Sequence, residues 1–184
     1  MSMDTAPADG RSLLADWIDD EEAALARQWP GVADPAALAG LDGLAVMRAM
    51  LAGATPYPPI AQTLGFVLVE VERGRVVYQG RPAQSHLNPM GTAHGGWFAA
   101  ILDSALACAV HTLLPQGRGY TTAELSVNIV RALRPGEVRV RAIGEALHAG
   151  RQLATAQARL VGPDGTLYAH ATTTCLVFET RAPG

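Results

Sequence analysis

The chain has 184 residues, a formal net charge of −3 and a pI near 5.9. With 49% hydrophobic and 17% charged residues it can build one sizeable core, which excludes a disordered chain, and it has no basic excess for general nucleic-acid binding. All 14 non-histidine cations are Arg, so mechanisms that need a Lys amine or a Walker-type phosphate loop are excluded.

Met1–Gly10 is acidic and polar, without the basic and apolar regions of a signal peptide, and is expected to be frayed. From Arg11 to Trp29, Leu13, Leu14, Trp17, Ile18, Ala24 and Leu25 recur at helical spacing, with Asp19–Glu22 on the opposite side. Pro30-Gly31 stops this helix. A second begins at Asp34, an N-cap followed by Pro35 at the first helical position, and its stripe runs through Leu38, Leu41, Leu44, Met47 and Leu51 to Gly53. Pro56, Pro58 and Pro59 are expected to prevent its continuation. Residues 1–55 thus read as a helical extension and residues 56–184 as the main domain.

Phe66–Glu72 and Arg75–Gly80 are Val-rich and flank Arg73-Gly74, which predicts a hairpin. A loop over Arg81–Ala93 leads to a long helix at about 94–114, ended by Pro115 and Gly117. Its apolar run Trp97–Leu114 contains Asp103 and His111, so it reads as a buried helix and not a membrane span. Four strands follow, at about 120–131, 137–147, 152–161 and 166–178, separated by Arg134-Pro135-Gly136, Ala149-Gly150 and Pro163-Asp164-Gly165. The order β-β-α-β-β-β-β predicts an α+β fold, one long helix against a largely antiparallel sheet. One helix covers only one face of a sheet, so the rest is expected to be buried in a homodimer or homotetramer. Cys108 and Cys175 have no metal-site spacing and read as buried thiols in a reducing compartment; a cytoplasmic location is expected.

The chemistry concentrates in the sixteen residues Asn88–Asp103. His94-Gly95-Gly96 stands where a loop becomes a helix. The first amides of a helix lack internal partners and carry partial positive charge, so they can hold an anion or a developing oxyanion, and glycines let a ligand come close. On a helical wheel Asp103 lies within about 60° of Gly96, Ala99, Ala100, Ala107 and Val110, a carboxylate among small residues with room for substrate or water. Each feature alone has a plainer explanation: close packing for the glycines, a hydrogen-bonded structural carboxylate for Asp103, a helix cap for His94, a turn for Asn88. Their combination favours a site.

The pattern Asn-x5-His-Gly-Gly-x7-Asp (Asn88, His94, Gly95, Gly96, Asp103) resembles that of hotdog-fold acyl-CoA thioesterases of the PaaI-like family, as do the run from Thr121 to Arg134-Pro135-Gly136 and the Ala149-Gly150-Arg151 turn. The likeness spans about residues 58–178. It implies a sheet wrapped around one helix, assembled as dimers or dimers of dimers, and hydrolysis of an aryl- or medium-chain acyl-CoA without metal or organic cofactor. In that setting the Gly95 amide polarises the thioester carbonyl, Asn88 assists and His94 orients the region. Asp103, reaching across a dimer interface, activates water or attacks directly. Where some relatives carry a water-orienting hydroxyl, the nearest register offers Glu124, with Thr122 and Ser126 expected on the same strand face; Glu124 also reads as a specificity residue or, in preference, a structural carboxylate. Gly96, Thr122 and Glu124 are candidate substrate contacts, and Arg131, Arg134 and Arg151 are candidates for coenzyme A phosphates or ordinary surface Arg. The alternatives are an enoyl-CoA hydratase or dehydratase on the same fold, and a non-enzymatic acyl-CoA-binding protein.

Overall fold

A computed structural model describes residues 12–136 and 138–180. The stretch expected to be frayed, Met1–Gly10, lies outside the described residues. The described residues begin with four helices: α1 (Leu13–Arg27), α2 (Pro35–Leu38), α3 (Gly43–Leu51) and α4 (Pro59–Leu64). The hairpin β1 (Phe66–Glu72) and β2 (Arg75–Gly80) follows with the expected bounds, then a 3-10 turn at Gln84–His86. The long helix α5 (Gly95–His111) precedes β3 (Arg118–Ile129), β4 (Val140–Ala149), β5 (Leu153–Val161) and β6 (Leu167–Glu179).

The six strands form one antiparallel sheet in the order β1-β2-β4-β5-β6-β3. It wraps around α5, whose Trp97, Phe98, Ile101, Leu102, Ala105, Leu106, Ala109 and Val110 are all buried in the main core. α5 comes closest at β4, where a Cβ on Gly144 would stand 2.2 Å from the Ala105 carbonyl oxygen. Only a residue without a side chain fits there.

The expected second helix is broken in two. Gly40, at φ 90°, separates α2 from α3, and each piece has its own aspartate cap: Asp34 accepts from the Ala36 amide at 2.9 Å and Asp42 from the Ala45 amide at 2.8 Å. The second piece ends at Leu51, ahead of Gly53 and the prolines, and a separate short helix then starts among them. Pro59 occupies the first position of α4, where a missing N–H costs nothing.

The outer face of the sheet is also partly covered from within the chain. α1 crosses it, with Ala24 packed on Val67, Val69, Val77 and Ile143. The side chain of Arg141 is 9% exposed, and its guanidinium reaches Gln79 Oε1 (2.8 Å), Glu70 Oε1 (2.7 Å) and Asp20 Oδ2 (2.6 Å) while lying 4.5 Å from the Trp17 ring centroid. Arg139 pairs with Glu21 at 2.8 Å. The second face is therefore not left wholly to another subunit. What stays open is its other half, where Leu153 and Leu176 face each other across β5 and β6 and both are exposed.

Candidate active site

The start of α5 is built by the loop before it. Asn88 Oδ1 accepts from the amides of Met90 (3.0 Å) and Thr92 (3.2 Å), and its Nδ2 donates to Thr92 Oγ1 (2.8 Å). Asn88 thus organises a turn and retains one amide proton. The Ala93 amide donates to the Leu133 carbonyl and the His94 amide to the His86 carbonyl, both at 2.8 Å, which fixes the helix entry against two other loops. His94 is the N-cap, and its Nδ1 accepts from the Gly96 amide at 2.9 Å. The Gly95 amide finds no acceptor among the described residues. It is the one proton of the His94-Gly95-Gly96 step left for a ligand. A Cβ on Gly95 would meet only Ile129 Cδ1, at 3.6 Å, so glycine there is not demanded by packing.

Asp103 lies half-buried on α5 and accepts a hydrogen bond from Thr122 Oγ1 at 2.9 Å. Thr122 faces Cys175 across β3 and β6, and Tyr120 faces Val177, so both point inward to the helix. The expected shared face of Thr122, Glu124 and Ser126 is not found. Ala123 forms a bulge, the register slips between Thr122 and Glu124, and Glu124 and Ser126 turn to the outer face opposite Thr174 and Thr172. Glu124 is exposed and away from Asp103; the hydroxyl beside Asp103 is that of Thr122.

A cluster of polar groups missed in the sequence continues inward from Asp103. The Cys108 thiol lies 3.4 Å from the Tyr78 hydroxyl, and burial pushes its pKa up to about 11. Burial also raises the Tyr78 and Tyr120 phenols well above their usual value and lowers the His111 imidazole. The His111 and Tyr120 rings pack with centroids 5.1 Å apart. The signal available in the sequence is the period of two on β3, which places Tyr120 beside Thr122.

Eight residues of helix separate Gly95 from Asp103, about 12 Å along the axis. A carbonyl held at the Gly95 amide of one chain is therefore out of reach of the same chain's Asp103. The three arginines also divide. The Leu133–Ala93 bond brings the loop carrying the exposed Arg131 and Arg134 to the start of α5. The Arg151 carbonyl accepts from Arg118 at the opposite end of β3. Eleven residues of strand, about 36 Å, lie between those ends. Among the described residues no group of three His, Cys, Asp or Glu side chains is placed to hold a metal ion, and no helix is long and apolar enough to cross a membrane.

Residues 90–169 match the family model of the Thioesterase superfamily. In structure, the chain resembles a Thermus thermophilus protein at 32% identity and TM-score 0.59, covering 65% of this chain and 97% of that one. A mutant of the phenylacetic acid degradation protein PaaI from the same organism matches at 31% identity and TM-score 0.59, over 64% of this chain and 97% of that one. A putative thioesterase, a phenylacetic acid degradation-related protein of Ralstonia eutropha, matches at 31% and TM-score 0.65, over 71% and 98%. The chain belongs to the PaaI-like thioesterases of the hotdog fold. No curated protein matches it by sequence. The structural matches leave about a third of this PaaI-like chain uncovered while spanning nearly all of each relative.

Proposed function

We propose that the protein is a cytoplasmic acyl-CoA thioesterase, hydrolysing an aryl- or medium-chain acyl-CoA to the free acid and coenzyme A. The observation that carries this reading is the half-buried Asp103 carboxylate on α5, held at 2.9 Å by Thr122 beside the edge strand β3. One oxygen is oriented by the hydroxyl and the other is left for chemistry. The Gly95 amide supplies the complementary group, a helix-end donor for a carbonyl oxygen that gains negative charge as the thioester is attacked. The 12 Å between them requires a site shared by two copies, Gly95 from one and Asp103 from the other, in a homodimer or a tetramer built from it.

In such a site Asp103 takes the proton of an attacking water, or itself attacks and forms a mixed anhydride that water then opens. In either route the C–S bond breaks and the sulfur leaves as the coenzyme A thiolate, which takes up a proton. Single-turnover hydrolysis in heavy-oxygen water separates them, because label enters the Asp103 carboxylate only through the anhydride. In this reading Arg131 and Arg134, exposed on the loop beside the helix start, meet coenzyme A phosphates. His94 shapes the helix entry: its Nδ1 accepts from the Gly96 amide, so in this reading it is a positioning residue.

The test is thiol release from benzoyl-, phenylacetyl- and straight-chain acyl-CoA esters by the native protein and Asp103→Asn. The variant is expected to retain the fold and to lose about a thousandfold in kcat. Near-native turnover by Asp103→Asn removes the residue from the chemistry. Water addition to an enoyl-CoA without thiol release would reassign the site to a hydratase, and binding with neither reaction to an acyl-CoA-binding protein.

A further inference from the structure

The helices that precede the hotdog domain build a cavity of about 520 Å³ against the C-terminal end of α5. Pro35 and Leu38 of α2, Leu41 of the connecting turn and Val46 of α3 form one wall, and His111 and Tyr120 form the other. The family-model match begins at residue 90, so the first wall lies outside it.

The cavity is adjacent to the candidate site through one side chain. Tyr120 stands two residues before Thr122 on the inner face of β3, about 6.6 Å away along the strand. One side of Tyr120 meets His111 and the cavity, while its hydroxyl lies near the Cys108 thiol, one helical turn and a residue beyond Asp103. Asp103 to His111 spans eight residues of α5, about 12 Å, the reach of a medium-length acyl chain and more than a short one needs.

The lining defines the chemistry of the occupant. Among the described residues, no carboxylate lines the cavity. The one arginine among its described lining residues, Arg118, is taken up by the Arg151 carbonyl and by Glu179 at 3.6 Å. Burial holds His111 in its neutral form at physiological pH, and Tyr120 remains a neutral phenol. An apolar lining with a few uncharged hydrogen-bonding groups suits an uncharged aliphatic or aryl segment and disfavours a phosphate.

We propose that this cavity receives the distal, uncharged part of the acyl group whose thioester carbonyl lies at Asp103, so that residues 33–46 set the acyl length the enzyme accepts. This rests on the thioesterase reading above. The acyl chain would pass Tyr120 between the carbonyl site and the tail cavity.

The experiment has two readouts, kcat/KM across butyryl-, hexanoyl-, octanoyl- and decanoyl-CoA, and calorimetric binding of the non-hydrolysable thioether S-octyl-CoA and of free CoA. Two variants act in opposite directions, Ala33→Trp filling the cavity and Leu38→Ala enlarging it. Ala33→Trp is expected to lower kcat/KM for octanoyl- and decanoyl-CoA by about tenfold or more while butyryl-CoA stays within about twofold, and to weaken S-octyl-CoA binding in parallel. Leu38→Ala shifts the optimum to a longer chain. An equal loss at every chain length, no change in either variant, or weakened binding of free CoA overturns the proposal. Tight S-octyl-CoA binding that responds to Ala33→Trp, without hydrolysis of any ester, would sink the thioesterase reading and leave the tail cavity standing. Absence of both binding and hydrolysis would end both.

Discussion

The 2.9 Å contact between Thr122 and Asp103 decides how the carboxylate works. A carboxylate with one oxygen fixed by a hydroxyl presents the other in a defined direction, and orientation of this kind contributes through the transition state. Thr122→Val removes the donor while keeping the shape and is expected to lower kcat by about tenfold to a hundredfold with little change in KM, whereas Thr122→Ser restores most of the rate. Equal kinetics for the Val and Ser variants would mean that the hydroxyl only satisfies a structural bond. This residue also shows what a sequence can reveal at this scale. The motif from Asn88 to Asp103 is local, and the cap at its helix start is legible from His94, Gly95 and Gly96, while the bonds that fix the entry to Leu133 and His86 are not. The facing strand departs from its expected pattern because a period of two assumes an unbroken ladder. One extra residue, Ala123, reverses every side chain after it, and a bulge at Ala123 reflects the strand's pairing with β6, which no local pattern in 118–129 announces.

Among the elements, α1 has the most unexpected position. Its apolar stripe announces packing but not against what, and the helix count alone assigns the sheet's second face to a partner subunit. Arg141 explains the outcome. Val138, Val140 and Ala142 alternate with Arg139 and Arg141, a pattern that reads as a wet strand face, yet both arginines lie beneath α1 and are neutralised by its Asp20 and Glu21. Alternation distinguishes polar from apolar faces; it does not distinguish water from an acidic helix. Arg141→Ala removes the partner of Asp20 Oδ2, Gln79 Oε1 and Glu70 Oε1, although Glu70 Oε2 keeps Arg75 at 2.7 Å, and removes the contact with Trp17. Because Glu70 and Asp20 are 35% and 53% exposed and can rehydrate, the expected cost is about 2 kcal/mol, well below that of a fully buried pair. Urea unfolding measures it, and limited proteolysis should cut within residues 13–27 of the variant before the sheet unfolds. A variant as stable and as resistant as the native chain would show that the apolar contacts of Ala24 suffice to hold α1.

At the scale of the whole molecule, one chain is an incomplete catalyst under the proposed function. β3 is a twelve-residue edge strand with Thr121, Glu124, Ser126 and Asn128 on its exposed outer face, and a long unpaired edge invites pairing with a second copy. A twofold axis near Ala99, midway between Gly95 and Asp103 on α5, would run two such helices antiparallel and set Gly95 of each against Asp103 of the other. This arrangement can be tested without a structure of the assembly. Gly95 is the first residue of α5, and the residue before it, His94, has φ −63° and ψ 143°, a conformation that proline tolerates after it. Gly95→Pro therefore deletes the one free amide proton while keeping the helix start. It should be nearly inactive, and so should Asp103→Asn. Mixed after dissociation and reassociation, the two variants form heterodimers with one intact site and one doubly damaged site. Random pairing makes half of the dimers mixed, so activity should recover to about one quarter of the native value. Recovery can come only from a site drawing Gly95 and Asp103 from different chains. If each chain carried its own complete site, every site in the mixture would be damaged, and thiol release would stay at the level of the separate variants however long the subunits were allowed to exchange.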